Sequence, residues 1–243
     1  MKKIILSSVL IVFTINLSYA QWWSQNKIHG NGDYTTETRS LDTYDEIAVT
    51  GGMDVFLIAG TEGELKIQAE SNLMEYIITE VQGDKLKIYT EKGYELVESR
   101  RMEIKIEVPV EDISAVSLTG SGDIEGQVTI VADDLDLKLT GSGDINLDIE
   151  AVRIRGTVTG SGDMELKGKA EELDCRVTGS GDFDASDLLA KRASATVSGS
   201  GDIEVNVSDA LKARVQGSGD ISYDGNPEKQ DFKTAGSGSI SKN

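Results

Sequence analysis

The sequence predicts an all-β protein, a single-stranded parallel β-helix with coils of about 18–21 residues. Gly-Ser-Gly-Asp recurs at residues 120–123, 141–144, 160–163, 179–182, 199–202 and 217–220, with a variant Gly-Ser-Gly-Ser at 236–239, so successive first glycines are 21, 19, 19, 20, 18 and 19 residues apart. Apolar residues alternate with period two in a phase locked to this turn, which is a strand signature. Composition agrees: 26 glycines, 2 prolines and 5% aromatics in a chain that is 38% hydrophobic fit short strands joined by tight turns better than a compact enzyme-like core.

The chain opens Met1-Lys2-Lys3, continues with an apolar run from Ile4 to Leu17 and closes the run with Ser18-Tyr19-Ala20. A basic start, an apolar stretch and a small-x-small site make residues 1–20 a secretory signal peptide, cut before Gln21. A membrane anchor needs roughly 18 to 20 unbroken apolar residues. Thr14, Asn16 and Ser18 interrupt this run and no later stretch approaches that length, so no transmembrane segment is expected. No cysteine stands near the cleavage site for acylation. Cys175 is the only cysteine, which rules out an internal disulfide and predicts a buried, inert thiol. Residues 21–40 are polar and aperiodic, hold Trp22, Trp23 and the single His29, and are expected to form a mobile leader or a cap over the first coil.

Residues 41–243 are expected to form the β-helix domain, with 41–112 as degenerate coils. Thr50-Gly51-Gly52-Met53-Asp54-Val55 aligns with Thr119-Gly120-Ser121-Gly122-Asp123-Ile124, with Ile47 and Val49 before it and Leu57 after. Alternating runs at Leu65–Ala69, Leu86–Tyr89 and Met102–Val108 read as further strands, separated by Gly83-Asp84 and the charged stretch Glu91–Arg101.

Residues 113–243 are the regular repeats. Leu118, Leu139, Val158, Val177, Val197, Val215 and Thr234 stand two places before the first glycine, and Ile124, Ile145, Met164, Phe183, Ile203, Ile221 and Ile240 stand four places after it. Both columns are expected to face inward, as is the column holding Leu137, Cys175, Ala195, Ala213 and Phe232. Lys138, Arg155, Arg176, Thr196 and Arg214 before the turn, and Glu125, Asn146, Glu165, Asp184 and Glu204 after it, face water. Each repeat reads as strand, glycine turn, strand and a less regular connector such as Glu150-Ala151 or Gly168-Lys169-Ala170-Glu171. A meander of hairpins carries the same local signals. About 19 residues at roughly 3.3 Å each, however, trace one closed coil around a narrow core, and stacking coils about 4.8 Å apart turns each position into a column.

Forty-two acidic residues against 24 basic ones give a formal net charge of -18, and loss of residues 1–20, which hold two lysines and no acid, makes it -20. A field of that sign repels phosphates and anionic head groups, so nucleic acid and bare membrane are poor partners. No Walker loop, dinucleotide fingerprint or Cys/His metal cluster occurs. A single histidine in a polar leader cannot be set against any serine as the base of a hydrolase. The protein is therefore read as a non-enzyme with no catalytic or cofactor-binding residues.

One column could still carry chemistry: Asp123, Asp144, Asp163, Asp182, Asp202 and Asp220 would lie in a row roughly 5 Å apart. In one reading each aspartate caps amides of its own turn, whose glycines supply positive φ. In the other, neighbouring carboxylates that repel at this range recruit Ca²⁺, the only cofactor the sequence suggests, through roughly six to eight oxygen ligands. A spacing unlike the nine-residue repeat of calcium β-rolls favours capping. So does Gly52-Met53-Asp54, a similar turn with no adjacent copy in sequence.

The stretches Tyr44-Asp45-Glu46-Ile47-Ala48-Val49-Thr50-Gly51-Gly52-Met53-Asp54-Val55-Phe56-Leu57 and Gly83-Asp84-Lys85-Leu86-Lys87-Ile88-Tyr89, with the Gly-Ser-Gly-Asp series, resemble the auto-transporter adhesin, head GIN domain family of exported bacterial proteins over roughly residues 40–240. The ending Tyr19-Ala20-Gln21 is similar to Bacteroidetes signal peptides. The resemblance implies a right-handed parallel β-helix and a cell-envelope location, in the periplasm or at the cell surface. The expectation is an adhesin-like binding or structural module for an envelope protein or glycan, with homo-oligomerisation open. The alternative is a polysaccharide-active β-helix enzyme or a calcium-binding surface protein.

Overall fold

The computed structural model describes residues 26–100 and 102–243; the signal-peptide pattern, Trp22 and Trp23 lie outside them. The first ten strands are short: β1 (Asn26–His29), β2 (Tyr34–Ser40), β3 (Glu46–Gly51), β4 (Asp54–Ala59), β5 (Glu64–Glu70), β6 (Ile77–Gln82), β7 (Lys85–Thr90), β8 (Tyr94–Val97), β9 (Lys105–Val110) and β10 (Ala115–Gly120). The next five each make most of a coil: β11 (Ile124–Gly141), β12 (Ile145–Gly160), β13 (Met164–Gly179), β14 (Phe183–Gly199) and β15 (Ile203–Gly217). β16 (Ile221–Gly225), β17 (Lys229–Gly236) and β18 (Ile240–Lys242) follow. Consecutive long strands pair in parallel with first glycine on first glycine, from Gly120 through Gly141, Gly160, Gly179, Gly199 and Gly217 to Gly236. This is a parallel β-helix.

The connectors are more regular than the sequence suggests. Glu150 pairs with Lys169 and Ala151 with Ala170, so the chain turns these corners without leaving the sheet. Repeat length varies at bulges: the longest repeat places its extra residues between Glu125 and Thr129, just after the turn. A bulge absorbs surplus chain while the inward columns on either side keep their phase.

The core follows the predicted columns. Val158, Val177, Val197 and Val215 are buried in one register line, and Ile145, Met164, Phe183, Ile203 and Ile221 in another. The prediction fails for the last coil, where Thr234 and Phe232 are exposed and Ile240 is only half-buried. Register is kept there, but among the described residues a coil covers that end on one side only. Cys175 is buried, and burial pushes its thiol well above the ordinary range. Gly156 occupies the Cys175 column and makes room for Phe183, whose ring would lie 2.2 Å from a Cβ at that position.

The amino-terminal coils do not stack in chain order. β3 pairs with β10 on one side and β7 on the other, and β4 lies between β11 and β9. The segment between β4 and β10 thus builds the outer layers before the chain returns to the opposite side of β3. Those layers end in antiparallel pairs, β2 with β5 and β6 with β7. The outermost strand, β2, is polar and almost wholly exposed, which suits an edge that must not recruit further strands.

Glu70 staples this end together. It is the one charged side chain buried among the described residues, and it accepts hydrogen bonds from the amides of Gly32 (2.5 Å) and Ser99 (2.8 Å), which follow β1 and β8. Burial works to raise its carboxyl, but the amide and hydroxyl of Ser99 and the Gly32 amide outweigh that and hold it below the ordinary glutamate range. Because the folded value is the lower one, this stabilisation is complete above the ordinary glutamate range and fades as pH falls through the folded value. Glu70→Ala is expected to cost roughly 3 kcal/mol by orphaning two amides, a fall of about 6 to 12 °C in Tm for a chain of this size. The difference from the parent should shrink in acid. A Tm difference that grows as pH falls would contradict this account.

Candidate functional site

The predicted aspartate row is assembled by the turn itself. The carbonyl of the first glycine in one coil accepts the amides of the serine and second glycine in the next, as Gly141 does from Ser161 (2.8 Å) and Gly162 (3.1 Å). The amide after the aspartate bonds the other way, Ile145 donating to the Asp163 carbonyl at 3.0 Å. The aspartate amide is left over, and the side chain of the preceding aspartate answers it. Asp123 Oδ1 accepts from Asp144 (3.0 Å), Asp144 from Asp163 (3.0 Å), Asp163 from Asp182 (2.8 Å), Asp182 from Asp202 (2.8 Å) and Asp202 from Asp220 (2.7 Å). Asp220 receives both the amide (2.6 Å) and the hydroxyl (2.9 Å) of Ser239.

The caps therefore act between coils, not within one turn. The supposedly isolated Asp54 belongs to the same row, accepting the Asp123 amide at 3.2 Å. Burial raises the Asp54 carboxyl above the ordinary aspartate range, the Asp123 amide opposes the rise and the Asp123 charge adds to it. Chain order hides this neighbour, because β4 reaches β11 across some seventy residues of sequence.

The six residues considered for calcium are thus brought together, each with Oδ1 already engaged. No group of three or more His, Cys, Asp or Glu side chains among the described residues is arranged to hold a metal. Asp163→Ala removes the acceptor for the Asp182 amide and is expected to cost about 1 kcal/mol, the scale of a lost cap. Asp163→Asn keeps an acceptor, removes one charge from the row and should cost less. Thermal melts of both variants, with and without a chelator, check this. A parent Tm lowered by the chelator would make the row a calcium site, and equal losses in the two variants would make the charge, not the acceptor, the important feature.

Elsewhere the surface carries shallow grooves. One of about 480 Å³ lies beside the first turns and includes Thr90, Glu91, Lys92, Tyr94, Glu95 and Ser121; Glu95 there is held by Lys27 at 2.8 Å in the open. A second of about 480 Å³ is basic, with Arg176, Lys212, Arg214 and Lys233 around Ser194, Thr196 and Gln216. A third, of about 510 Å³, runs over Ala132, Ala151 and Ala170 between the exposed side chains of Val131, Val152 and Leu189. Sequence reading missed the second and third, whose members are spread over four or five successive coils. His29 sits on β1, where its backbone carbonyl accepts from the Asn72 side-chain amide at 2.8 Å, and no serine hydrogen-bonds its ring among the described residues.

A family model described as "Putative auto-transporter adhesin, head GIN domain" matches residues 43–227. The chain belongs to this family. Solved structures of similar shape include a "putative adhesin" from Bacteroides fragilis NCTC 9343, with TM-score 0.83 and 24% identity, covering 89% of this chain and 100% of that one. A "putative lipid binding protein" from Parabacteroides distasonis ATCC 8503 aligns with TM-score 0.75 and 27% identity over 90% of this chain and 100% of its own. A "putative adhesin" from the same organism gives 0.73 and 25% over 90% and 100%. No curated protein matches the chain. The head GIN match spans the degenerate and the regular coils alike, and no helix among the described residues is long and apolar enough to cross a membrane.

Proposed function

We propose that the chain is an exported cell-envelope module, in the periplasm or at the cell surface, that binds an envelope protein or glycan without catalysing a reaction. The observation that carries this reading is the glycine-on-glycine register from Gly120 to Gly236, which repeats the outward positions of the strand before the turn at one-coil steps and makes long arrays suited to a partner with its own repeat. The adhesin description of the family and the leader pattern of residues 1–20 support it. A glycan array probed with purified chain lacking residues 1–20 tests it. Saturable binding with no chain cleavage is the expected result; release of reducing ends from a bound polysaccharide would establish the enzyme reading instead.

A second reading is favoured by the apolar groove. Val131, Val152 and Leu189, three of the five large apolar side chains exposed among the described residues, are 63%, 48% and 53% exposed, and the pairs Lys169–Glu150 and Lys191–Glu171 border them. One similar structure is described as a "putative lipid binding protein", and an acyl chain is what such a groove would take. Binding of a fluorescent fatty acid, abolished by Leu189→Asp, would put lipid first.

A further inference from the structure

The mean charge of the chain hides a face of opposite sign. Three register columns run up the sheet before the turn, and in its earlier coils their charges cancel between neighbours: Arg153 bonds Asp134 (2.5 Å) and Glu172 (3.1 Å), Arg192 bonds Glu172 (2.8 Å), and Arg155 bonds Asp136 (3.2 Å). The alternation stops in the later coils. Arg176, Thr196, Arg214 and Lys233 form one column, with Ser194 and Lys212 in the next. Arg214 is bound to Asp231, but Arg176, Lys212 and Lys233 have no acidic partner within 4 Å among the described residues. No acid lines the groove of about 480 Å³ between them; the bordering acids are Asp174 and Asp231. In a protein of net charge -18, unpaired cations gathered around serine, threonine and glutamine side chains are a local inversion that folding does not need.

We propose that this groove binds an acidic polysaccharide, a glycan chain bearing carboxylate or sulfate groups, laid along the stacking direction. The inference deepens the binding-module reading and rests on it. Arg176 and Lys233 stand three coils apart, about 14 Å at roughly 4.8 Å per coil, so the cations meet a row of repeated charge and not a single ion. Arginine forks match planar or tetrahedral oxyanions, and the hydroxyl and amide groups between them suit sugar hydroxyls. A second copy of this chain fits less well, because its acidic rim arrives with the whole negative body behind it. Single-stranded nucleic acid is bound on aromatic platforms, and the groove contains none.

The test is titration of the chain lacking residues 1–20 with polygalacturonate, dextran sulfate, neutral dextran and a single-stranded oligonucleotide at low and high salt. At least one acidic polysaccharide should bind at low salt and weaken as salt screens the contact, neutral dextran should not bind, and Arg176→Glu with Lys212→Glu should weaken binding by about tenfold or more at unchanged Tm. Should that pair fail to fold, Lys212→Ala with Lys233→Ala, both exposed side chains, serves in its place. Binding that survives either folded pair, equal binding of the oligonucleotide, or no binding of either acidic polymer would overturn the proposal. If acidic polymers fail while a neutral glycan on the array binds, only the groove assignment falls and the module reading stands.

Discussion

Gly162→Ala is expected to lower stability by on the order of 4 kcal/mol or more, a fall of roughly 8 to 16 °C in Tm. The backbone at Gly162 suits any residue, so conformation is not the reason. A Cβ there would lie 2.0 Å from the carbonyl oxygen of Gly143 and 3.0 Å from its nitrogen and carbonyl carbon, all backbone atoms of the neighbouring coil. No rotamer relieves such an overlap; the coils must separate, breaking the paired bonds from Ser161 and Gly162 to Gly141. Gly160 adds a second constraint, with φ at +125° and the Gly141 carbonyl oxygen 2.2 Å from its would-be Cβ. Gly83→Ala separates the two effects, since φ there is +65° but a Cβ would meet nothing within 4 Å. That variant should cost only about 1 kcal/mol. Equal melting of Gly162→Ala and Gly83→Ala would show that contact between coils does not govern the ladder.

Ile203→Asp is expected to be as severe. Ile203 is completely buried, between Phe183 and Ile221 in its column. The substitution removes about 1.5 to 3 kcal/mol of apolar burial and places a carboxylate between the apolar side chains of Phe183 and Ile221, a further penalty of several kcal/mol. Loss of soluble folded protein, or a Tm fall above roughly 10 °C, is the expected outcome. Ile203→Val, which deletes one methylene, should cost only about 1 kcal/mol, and Glu204→Ala, one residue on and facing water, should be nearly neutral. Wild-type melting of Ile203→Asp would mean that the inward column is misassigned.

How legible the molecule was depends on how far apart the partners lie in sequence. The valine column ending at Val215 and the column running from Ile124 to Ile221 were legible because a strand shows its two faces in alternate residues and the glycine turn resets the count in every coil. The aspartate row was legible as a row, since one residue per repeat in a stacked fold must align. Its bonding was not: an aspartate beside glycines looks like a local cap, and only the stacked geometry shows that its oxygen reaches the next coil's amide. Glu70 carried no signal at all, being one glutamate among many acids until β5 is set against the ends of β1 and β8.

The fold class, the coil length and the inward-facing side chains could be read along the chain, because periods of two and about nineteen are written in it. The stacking order of the first coils was not readable there: β3 lies between strands that follow it by some forty and seventy residues, and β4 between strands that follow it by some fifty and seventy. Only the tertiary structure decided that order, the inter-coil caps, the pairing of Gly156 with Phe183 and the gathering of Arg176, Lys212, Arg214 and Lys233 into one groove. One cause underlies all of these. Periodicity records which face a residue takes, whereas contact between coils depends on which strands become neighbours, and chain return and bulges settle that at long range.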